Sequence, residues 1–214
     1  MGDARDAGID YDNPPFPLTA IDRELLSMRD EDFHEITWDE LKKIIADNRL
    51  EELKRIPSDL RRYLAWSYNI KKQYGGITNF VIKERLHWTP LSPTGPPLFE
   101  HKSDIPFADQ RDFVVLVNDW PYGFDEGIIH ILVWSKTPIA VDDAQGDVTP
   151  ESRRLIEEFV ERYFVRELIG GREQVMWFKN WVSLQSVRGV DHVHVLARDV
   201  PDHVLKQWTE RKDL

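Results

Sequence analysis

The chain contains no cysteine among its 214 residues, and this absence excludes several kinds of protein. Without thiols there is no disulfide scaffold, no thiolate metal site and no cysteine nucleophile. A tight zinc site would need histidine and carboxylate ligands alone, and the helical motifs H-x-x-x-H and H-E-x-x-H do not occur. We therefore expect no zinc and no other resident metal ion.

Long hydrophobic runs and an excess of positive charge are also missing. No apolar segment approaches the ~20 residues of a membrane-spanning helix, so we expect no membrane association. The formal net charge is -10, and a field of that sign repels nucleic acid. The acidic, proline-bearing opening of the chain is unlike a signal or transit peptide. Together these absences favour a cytoplasmic protein whose partners are small molecules.

The sequence does contain enough apolar material for a core, with 41% hydrophobic residues and eight Trp. Residues 1–17 are predicted to form a flexible tail. Residues 18–103 are predicted to form a helical N-terminal layer that ends in a proline-rich crossing segment. Thr37 and Glu40 have the spacing of a capping box, and Pro57 is suited to begin a second helix that Gly75 and Gly76 stop.

Residues 104–214 have a different pattern, which predicts four strands and a helix. Thr149 and Pro150 are suited to the start of this helix, and Gly170 and Gly171 to its end. The predicted strands are DFVVLV, IIHILVWSK, QVMWFKNWV and DHVHVLAR. A helical layer followed by a strand–strand–helix–strand–strand unit indicates an α+β fold, and we expect the two regions to pack as one compact domain. A short polar helix or tail follows the last strand.

His192 and His194 are the first candidate site residues. Alternate residues of a strand point the same way, so the two imidazoles would lie side by side. They could form a metal site if His130 supplied a third ligand from another strand. They could instead handle phosphate, one attacking phosphorus while the other orients it. The remaining interpretation is that His192 and His194 are ordinary hydrogen-bonded residues on a solvent-exposed face of the sheet.

Further polar residues stand at the ends of the predicted strands, where sheets commonly bind ligands. Asp119 could accept a hydrogen bond from a ribose hydroxyl, and Asn118 could contact a base or the backbone. Alternatively, Asn118 and Asp119 form an Asx-type turn before Pro121. His130, in a strand, needs a polar partner if it is buried. The looser candidates for substrate and phosphate contacts are Lys136, Lys179, Asn180, Gln185 and Ser186.

The order of these motifs resembles the histidine-triad superfamily, including its galactose-1-phosphate uridylyltransferase branch. The resemblance covers roughly residues 104–200 and rests on NDWP, IHILVWSK, LQSV and HVHVL. It implies a four- or five-stranded antiparallel sheet with a helix packed on it. Two departures stand out, since an RGVD insert precedes the histidines and Leu196 replaces the third histidine. Leucine cannot hydrogen-bond a phosphate as the glutamine of the uridylyltransferase branch can.

The whole chain is also similar to the fungal family called N-acetylglucosamine-induced protein. This similarity rests on RIPSDLRRYLAWSYNIKKQYG, DFVVLVNDWPYGFDEGIIHILVW and WFKNWVSLQSVRGVDHVHVL. The family name implies amino-sugar metabolism but states no reaction.

Together the two resemblances imply a nucleotidyltransferase that converts UTP and N-acetylglucosamine 1-phosphate into UDP-N-acetylglucosamine and pyrophosphate, or the reverse. If the motif starts at His192, His194 occupies the attacking position and His192 orients it; in the other register the roles are exchanged. Mg²⁺ would accompany a triphosphate substrate. The alternatives are a nucleotide hydrolase of the histidine-triad type and a nucleotide-sugar sensor without turnover.

Overall fold

The structure is a computed structural model that describes residues 9–142 and 146–210. The first eight residues of the predicted tail and the last four of the C-terminal segment lie outside the described residues. The α+β class is confirmed, because helices surround one antiparallel sheet. The α-helices are α1 Ala20–Ser27, α2 Trp38–Ala46, α3 Pro57–Tyr74, α4 Ile77–Phe80, α5 Pro150–Tyr163 and α6 Asp202–Thr209. The strands are β1 Phe113–Val117, β2 Ile128–Ser135, β3 Val175–Phe178 and β4 Asp191–Arg198.

Helices α2 and α3 begin where their capping residues predict, and α3 also ends at its predicted glycine. Thr37 and Glu40 form a reciprocal capping box at α2, because the Thr37 hydroxyl accepts from the Glu40 amide and the Glu40 carboxylate accepts from the Thr37 amide. Pro57 is the first residue of α3, and Gly75 ends that helix at φ 75°. A further capping box opens α1, which the sequence analysis did not single out.

The segment ITNFVIKERL is helical, but its second half is a π-helix. After α4 the chain continues through the π-turns of Val81–Leu86. This helical segment ends at His87, whose φ is 54°. Such wide turns are rare and often occur at functional sites. This helical segment follows Gly75 and Gly76 directly, and it forms one wall of the cleft described below.

The four strands form one antiparallel sheet in the order β1-β2-β4-β3. The register places His130 opposite Leu196, Leu132 opposite His194, and Trp134 opposite His192. Because side chains alternate along a strand, β4 sends His192 and His194 to one face of the sheet and Val193 and its alternate neighbours to the other. The residues of β2 alternate in the same way.

One face of the sheet packs against α5 and α6 in an apolar core. The strands contribute mainly β-branched side chains, and the helices contribute aromatic rings. Helix α5 starts at Pro150 after Thr149, as predicted. Its predicted end at Gly170 and Gly171 is wrong, since the helix stops at Tyr163. The fully buried Phe164 turns into the core there, and the chain continues as a short 3-10 turn, Val165–Glu167.

The opposite face of the sheet packs against the N-terminal helices through two smaller clusters. Leu196, Met176 and Phe178 meet α2 in the first of them. Trp134 meets residues of α3, α4 and the π-helical segment in the second. The polar residues of β2 and β4 lie between these two clusters.

The described part of the predicted tail, residues 9–17, has no helix or strand but contacts α3. The Tyr11 hydroxyl donates to the Arg61 carbonyl at 2.7 Å, and the Phe16 ring lies 5.5 Å from that of Tyr68. The predicted division of the chain into tail, helical layer and sheet unit stays a prediction. Within residues 9–142 and 146–210, no helix is both long enough and apolar enough to cross a membrane.

Candidate functional site

A cleft opens on the sheet face between the two smaller clusters, and it brings most of the predicted site residues together. β4 supplies its floor, the loop after β1 supplies one side, and the π-helical segment supplies another. The predicted residues on its wall are Asn118, Asp119, Asn180, Ser186, His192 and His194. Its wall also contains residues that the sequence analysis missed, namely Arg55, Trp66, Phe80, Arg85, Trp120 and Tyr122.

His192 presents one ring nitrogen to the cleft. Its Nδ1 lies 2.9 Å from the Val190 carbonyl oxygen, and because a carbonyl can only accept, Nδ1 carries the proton. The centre of the Trp134 ring lies 4.4 Å from that of the imidazole, and this packing restricts the orientation of the His192 ring. No hydrogen bond to Nε2 occurs among residues 9–142 and 146–210. Burial lowers the pKa of His192 to about 4, so at neutral pH this Nε2 carries a lone pair.

His194 differs from His192 because both of its ring nitrogens have partners. Its Nδ1 lies 2.8 Å from His130 Nε2, and its Nε2 lies 3.2 Å from the side-chain nitrogen of Asn180. The ring stacks on Phe178 with the centroids 4.6 Å apart and the planes 9° from parallel. Burial first, and then the neighbouring imidazoles and cations, hold the pKa of His194 well below its ordinary value.

His130 lies behind His194 and does not line the cleft. It is 3% exposed, and its ring is packed beside Tyr122 with the centroids 5.5 Å apart. The side-chain nitrogen of Asn118 lies 3.2 Å from His130 Nδ1 and 3.5 Å from Nε2. Since His194 already occupies Nε2, the amide bonds to Nδ1. Burial, followed by the charge of Arg55, lowers the pKa of His130 to about 3.

The loop after β1 forms the predicted Asx-type turn and also places Asp119 on the wall of the cleft. Asn118 Oδ1 accepts from the Trp120 amide at 3.0 Å, which is the predicted Asx-type turn. Asp119 lines the cleft and forms a two-point ion pair with Arg85, with contacts of 2.9 and 3.0 Å. Burial raises the pKa of Asp119, and Arg85 opposes that shift.

Arg55 places a positive charge in the cleft. Its guanidinium lies 4.1 Å from the centre of the Tyr63 ring and 5.3 Å from that of Tyr122. Its Nε is enclosed without a hydrogen-bond partner in the described chain, and no ion pair to a described carboxylate occurs. No local sequence motif marks Arg55 as a site residue, and it lies in the irregular segment just before α3. Its side chain reaches the histidines only through the tertiary fold.

Aromatic rings form the outer wall of the cleft. The Trp66 ring lies 5.1 Å from that of Trp120 and 5.4 Å from that of Phe80, and Tyr63 packs behind both tryptophans. Such faces suit the stacking of a base or a sugar ring. Only the abundance of aromatic residues was visible in the sequence, because these rings come from three separate segments.

Three predicted phosphate contacts have other partners and do not line the cleft. Lys179 is buried and paired with Asp191 at 3.0 Å. Lys136 lies over the Trp88 ring at 5.5 Å. The Gln185 side chain donates to the Asn180 backbone carbonyl at 2.8 Å, which braces the loop that carries Asn180. In the described parts of the chain, no three histidine or carboxylate side chains are placed to share a metal ion.

Residues 37–198 match the family described as "Protein of unknown function (DUF3605)". The chain belongs to the DUF3605 family. The matched range contains every residue of the cleft named above, from Arg55 to His194.

The chain is also similar to two fungal proteins and to one solved structure. "N-acetylglucosamine-induced protein 1" of Candida albicans is 32% identical over 177 residues, which are 78% of this chain and 69% of the relative. "Uncharacterized protein YPL067C" of Saccharomyces cerevisiae is 28% identical over 160 residues, which are 74% of this chain and 77% of the relative. A crystal structure titled "Crystal Structure of HTC1" is similar at a TM-score of 0.57 and 26% identity, covering 83% of this chain and 90% of that one.

Proposed function

We propose that the cleft of this DUF3605 protein transfers a nucleotidyl group through a covalent intermediate on His192. One observation carries the proposal: Val190 holds the Nδ1 proton, and Nε2 faces the cleft without a partner in the described chain. A nucleophilic histidine needs this arrangement, because the attacking nitrogen must offer a lone pair while the other nitrogen shares the developing charge. His194 lacks it, since both its nitrogens are engaged.

The first half-reaction forms a bond between phosphorus and nitrogen. Nε2 of His192 attacks the α-phosphorus of UTP, the bond from that phosphorus to the bridging oxygen breaks, and pyrophosphate leaves. His192 becomes a cationic phosphoramidate, and its Nδ1 proton stays hydrogen-bonded to the Val190 carbonyl. In the second half-reaction a phosphate oxygen of N-acetylglucosamine 1-phosphate attacks the same phosphorus. The P–N bond breaks, neutral His192 returns, and UDP-N-acetylglucosamine is released.

Charge in the cleft supports an anionic substrate. Arg55 contributes a cation without a carboxylate partner among the described residues, whereas the charges of Arg85 and Asp119 offset each other. The cleft is therefore locally positive in a chain whose formal net charge is -10. Mg²⁺ would arrive bound to the triphosphate, as it commonly does in nucleotide sites. Asp119 places its carboxylate on this wall, and in the structure that carboxylate is paired with Arg85.

The substrate class is the second part of the proposal. Trp66 and Trp120 offer ring faces to a uracil base or a sugar, and Asp119 offers oxygens to hydroxyl groups. The resemblance to the histidine-triad superfamily supports phosphate chemistry on this sheet. The printed name of the Candida albicans relative refers to N-acetylglucosamine, which supports an amino-sugar phosphate as the acceptor. A cytoplasmic location belongs to the same proposal.

Product analysis tests the proposal directly. Purified protein is incubated with UTP and Mg²⁺, with and without N-acetylglucosamine 1-phosphate, and the products are separated by chromatography. The proposal expects UDP-N-acetylglucosamine and pyrophosphate only when the sugar phosphate is present. UMP formed at the same rate in both mixtures would select the hydrolase instead. Binding of uridine nucleotides with no product in either direction would select the sensor.

A further inference from the structure

Four side chains form a continuous series of hydrogen bonds, three of them on the wall of the cleft and His130 behind it. The series runs from Asn118 through His130 and His194 to Asn180, with contacts of 3.2, 2.8 and 3.2 Å. Each neutral imidazole has one donor and one acceptor nitrogen, so fixing the direction of one bond fixes all the others. The proton positions of both histidines are therefore set at one end of the series.

We propose that Asn118 is a positioning residue that sets this direction, so that His194 carries its proton on Nε2 and offers no lone pair there. The Asn118 side-chain amide cannot exchange the positions of its oxygen and nitrogen. Its Oδ1 accepts from the Trp120 backbone N–H at 3.0 Å, and a backbone N–H can only donate. Its nitrogen therefore faces His130 as a donor. His130 Nδ1 accepts from it at 3.2 Å.

The rest of the series follows from that first bond. Neutral His130 has its proton on Nε2 and donates it to His194 Nδ1 at 2.8 Å. Neutral His194 then has its own proton on Nε2. Asn180 must accept a hydrogen bond from this N–H through its side-chain oxygen, so its amide is turned with Oδ1 towards His194. The oxygen and nitrogen of an amide are assigned from such networks.

The contacts around Asn180 are compatible with this orientation. In the structure its side-chain nitrogen faces both His194 and Tyr122, and turning the amide places Oδ1 there; the other end of the amide is buried without a hydrogen-bond partner in the described chain in either orientation. Its other neighbour, the Tyr122 hydroxyl at 3.1 Å, can donate or accept and therefore does not oppose the turn. Asn118 is fixed and Asn180 is free to adapt, which gives the series one direction.

The consequence is a division of labour between the two histidines of the H-x-H motif. His192, held separately by Val190, has the lone pair that faces the cleft. His194 presents an N–H that can donate to Asn180 or to a phosphate oxygen that takes its place. The meaning of this division for catalysis rests on the proposed function, whereas the proton positions themselves do not.

Nitrogen-15 NMR of the full chain at pH 8 tests the inference, because long-range proton–nitrogen correlations show which ring nitrogen carries the proton. Resonances are assigned with single His→Gln variants, and the exposed His203 serves as the internal reference. The expected wild-type result is a proton on Nε2 of His130 and His194, and on Nδ1 of His192. A proton on Nδ1 of His194 would overturn the inference, whatever the product assay gives.

The variant Asn118→Asp reverses the expected pattern. One carboxylate oxygen still accepts from the Trp120 amide, but the other can only accept where the amide nitrogen donated. His130 and His194 should both move their protons to Nδ1, while His192 keeps its proton on Nδ1. A folded Asn118→Asp protein in which His194 keeps its Nε2 proton would also overturn the inference. If this variant does not fold, the wild-type spectrum decides alone.

Discussion

The two faces of the sheet are built from the same strands but differ in what they bury. On one face, Val193, Val195 and Ala197 of β4 pack into a single apolar core with α5 and α6. On the other face, His192 and His194 alternate with those residues and lie in a gap between two smaller clusters. One strand thus serves stability with Val193, Val195 and Ala197 and the cleft with His192 and His194.

The difference shows where this fold accepts a cost in stability. Burying an imidazole or a guanidinium without full hydrogen bonding is unfavourable, whereas on the apolar face the comparable group is the neutral indole nitrogen of Trp208, which has no partner in the described chain. On the cleft side, Arg55 Nε lacks a partner among the described residues, and His192 keeps a bare lone pair. Unsatisfied polar groups of this kind are uncommon in proteins and mark places where a ligand can bind. The comparison therefore predicts separate effects on turnover and on stability.

The largest expected effect is on turnover by His192→Ala. Removing the attacking nitrogen should lower kcat by about 10³-fold or more and leave nucleotide affinity nearly unchanged, because a nucleophile acts in the transition state. Steady-state kinetics and calorimetric binding measure the two quantities. His203→Ala, at an exposed position on α6, is the matched control and should behave as wild type. An active His192→Ala protein would refute covalent catalysis at this residue.

The apolar face should give the largest loss of stability. Phe164 is fully buried between α5 and α6, so Phe164→Ala should lower the free energy of unfolding by about 3–5 kcal/mol. Urea denaturation measures this loss. Ile169→Ala, at a fully exposed position, should change stability by less than about 0.5 kcal/mol. Equal effects of the two substitutions would contradict the assignment of the core.

Arg55→Gln should weaken ligand binding without loss of stability. A charged hydrogen bond to phosphate contributes about 1.5–3 kcal/mol, so affinity for UTP should fall about 10-fold to 10²-fold. Lys71→Gln removes the same charge from an exposed position on α3 and is the control for net charge. If both variants bind UTP equally well, Arg55 does not contact the ligand.

The smallest expected effect is a pH dependence of stability to which the buried histidines of the cleft face contribute. Burial lowers the pKa of His192 to about 4, so between about pH 6.5 and 4 the unfolded chain binds a proton that the folded chain does not. Stability should therefore fall as the pH falls through this range, by about 1.4 kcal/mol per pH unit for each such proton.

His192→Gln should remove one proton's share of that slope. Urea denaturation at several pH values between 4 and 7 compares the variant with wild type. His203→Gln, at an exposed position on α6, is the control and should leave the slope unchanged. A wild-type slope that the His192 substitution does not alter would show that this imidazole is not buried as described.

The sequence allowed the strands and the starts of several helices to be predicted, because the signals are local. Alternation placed His192 and His194 on one face, and Thr37, Thr149 and Pro57 marked helix starts. The end of α5 could not be predicted from Gly170. The helix stops earlier because Phe164 packs into the core, and packing of that kind depends on distant residues.

The candidate site was predictable only in part for the same reason. Asn118 and His130 are 12 residues apart, yet their contact follows from pairing of neighbouring strands. Arg55 has no motif and reaches the cleft because the helical layer packs on the sheet. Lys179 was assigned to phosphate from its place at a strand end, but in the structure it pairs with Asp191. Spacing gives the direction of a side chain, and tertiary packing gives its partner.

Trapping the intermediate would show whether His192 forms a covalent bond to the nucleotide. The protein is mixed with UTP and Mg²⁺ without acceptor, quenched rapidly in base, where P–N bonds survive, and digested for peptide mass spectrometry. The account predicts a uridylyl group on His192, absent from His192→Ala and removed by N-acetylglucosamine 1-phosphate with formation of UDP-N-acetylglucosamine. A uridylyl group on His194, or product formation with no modified histidine, would contradict it.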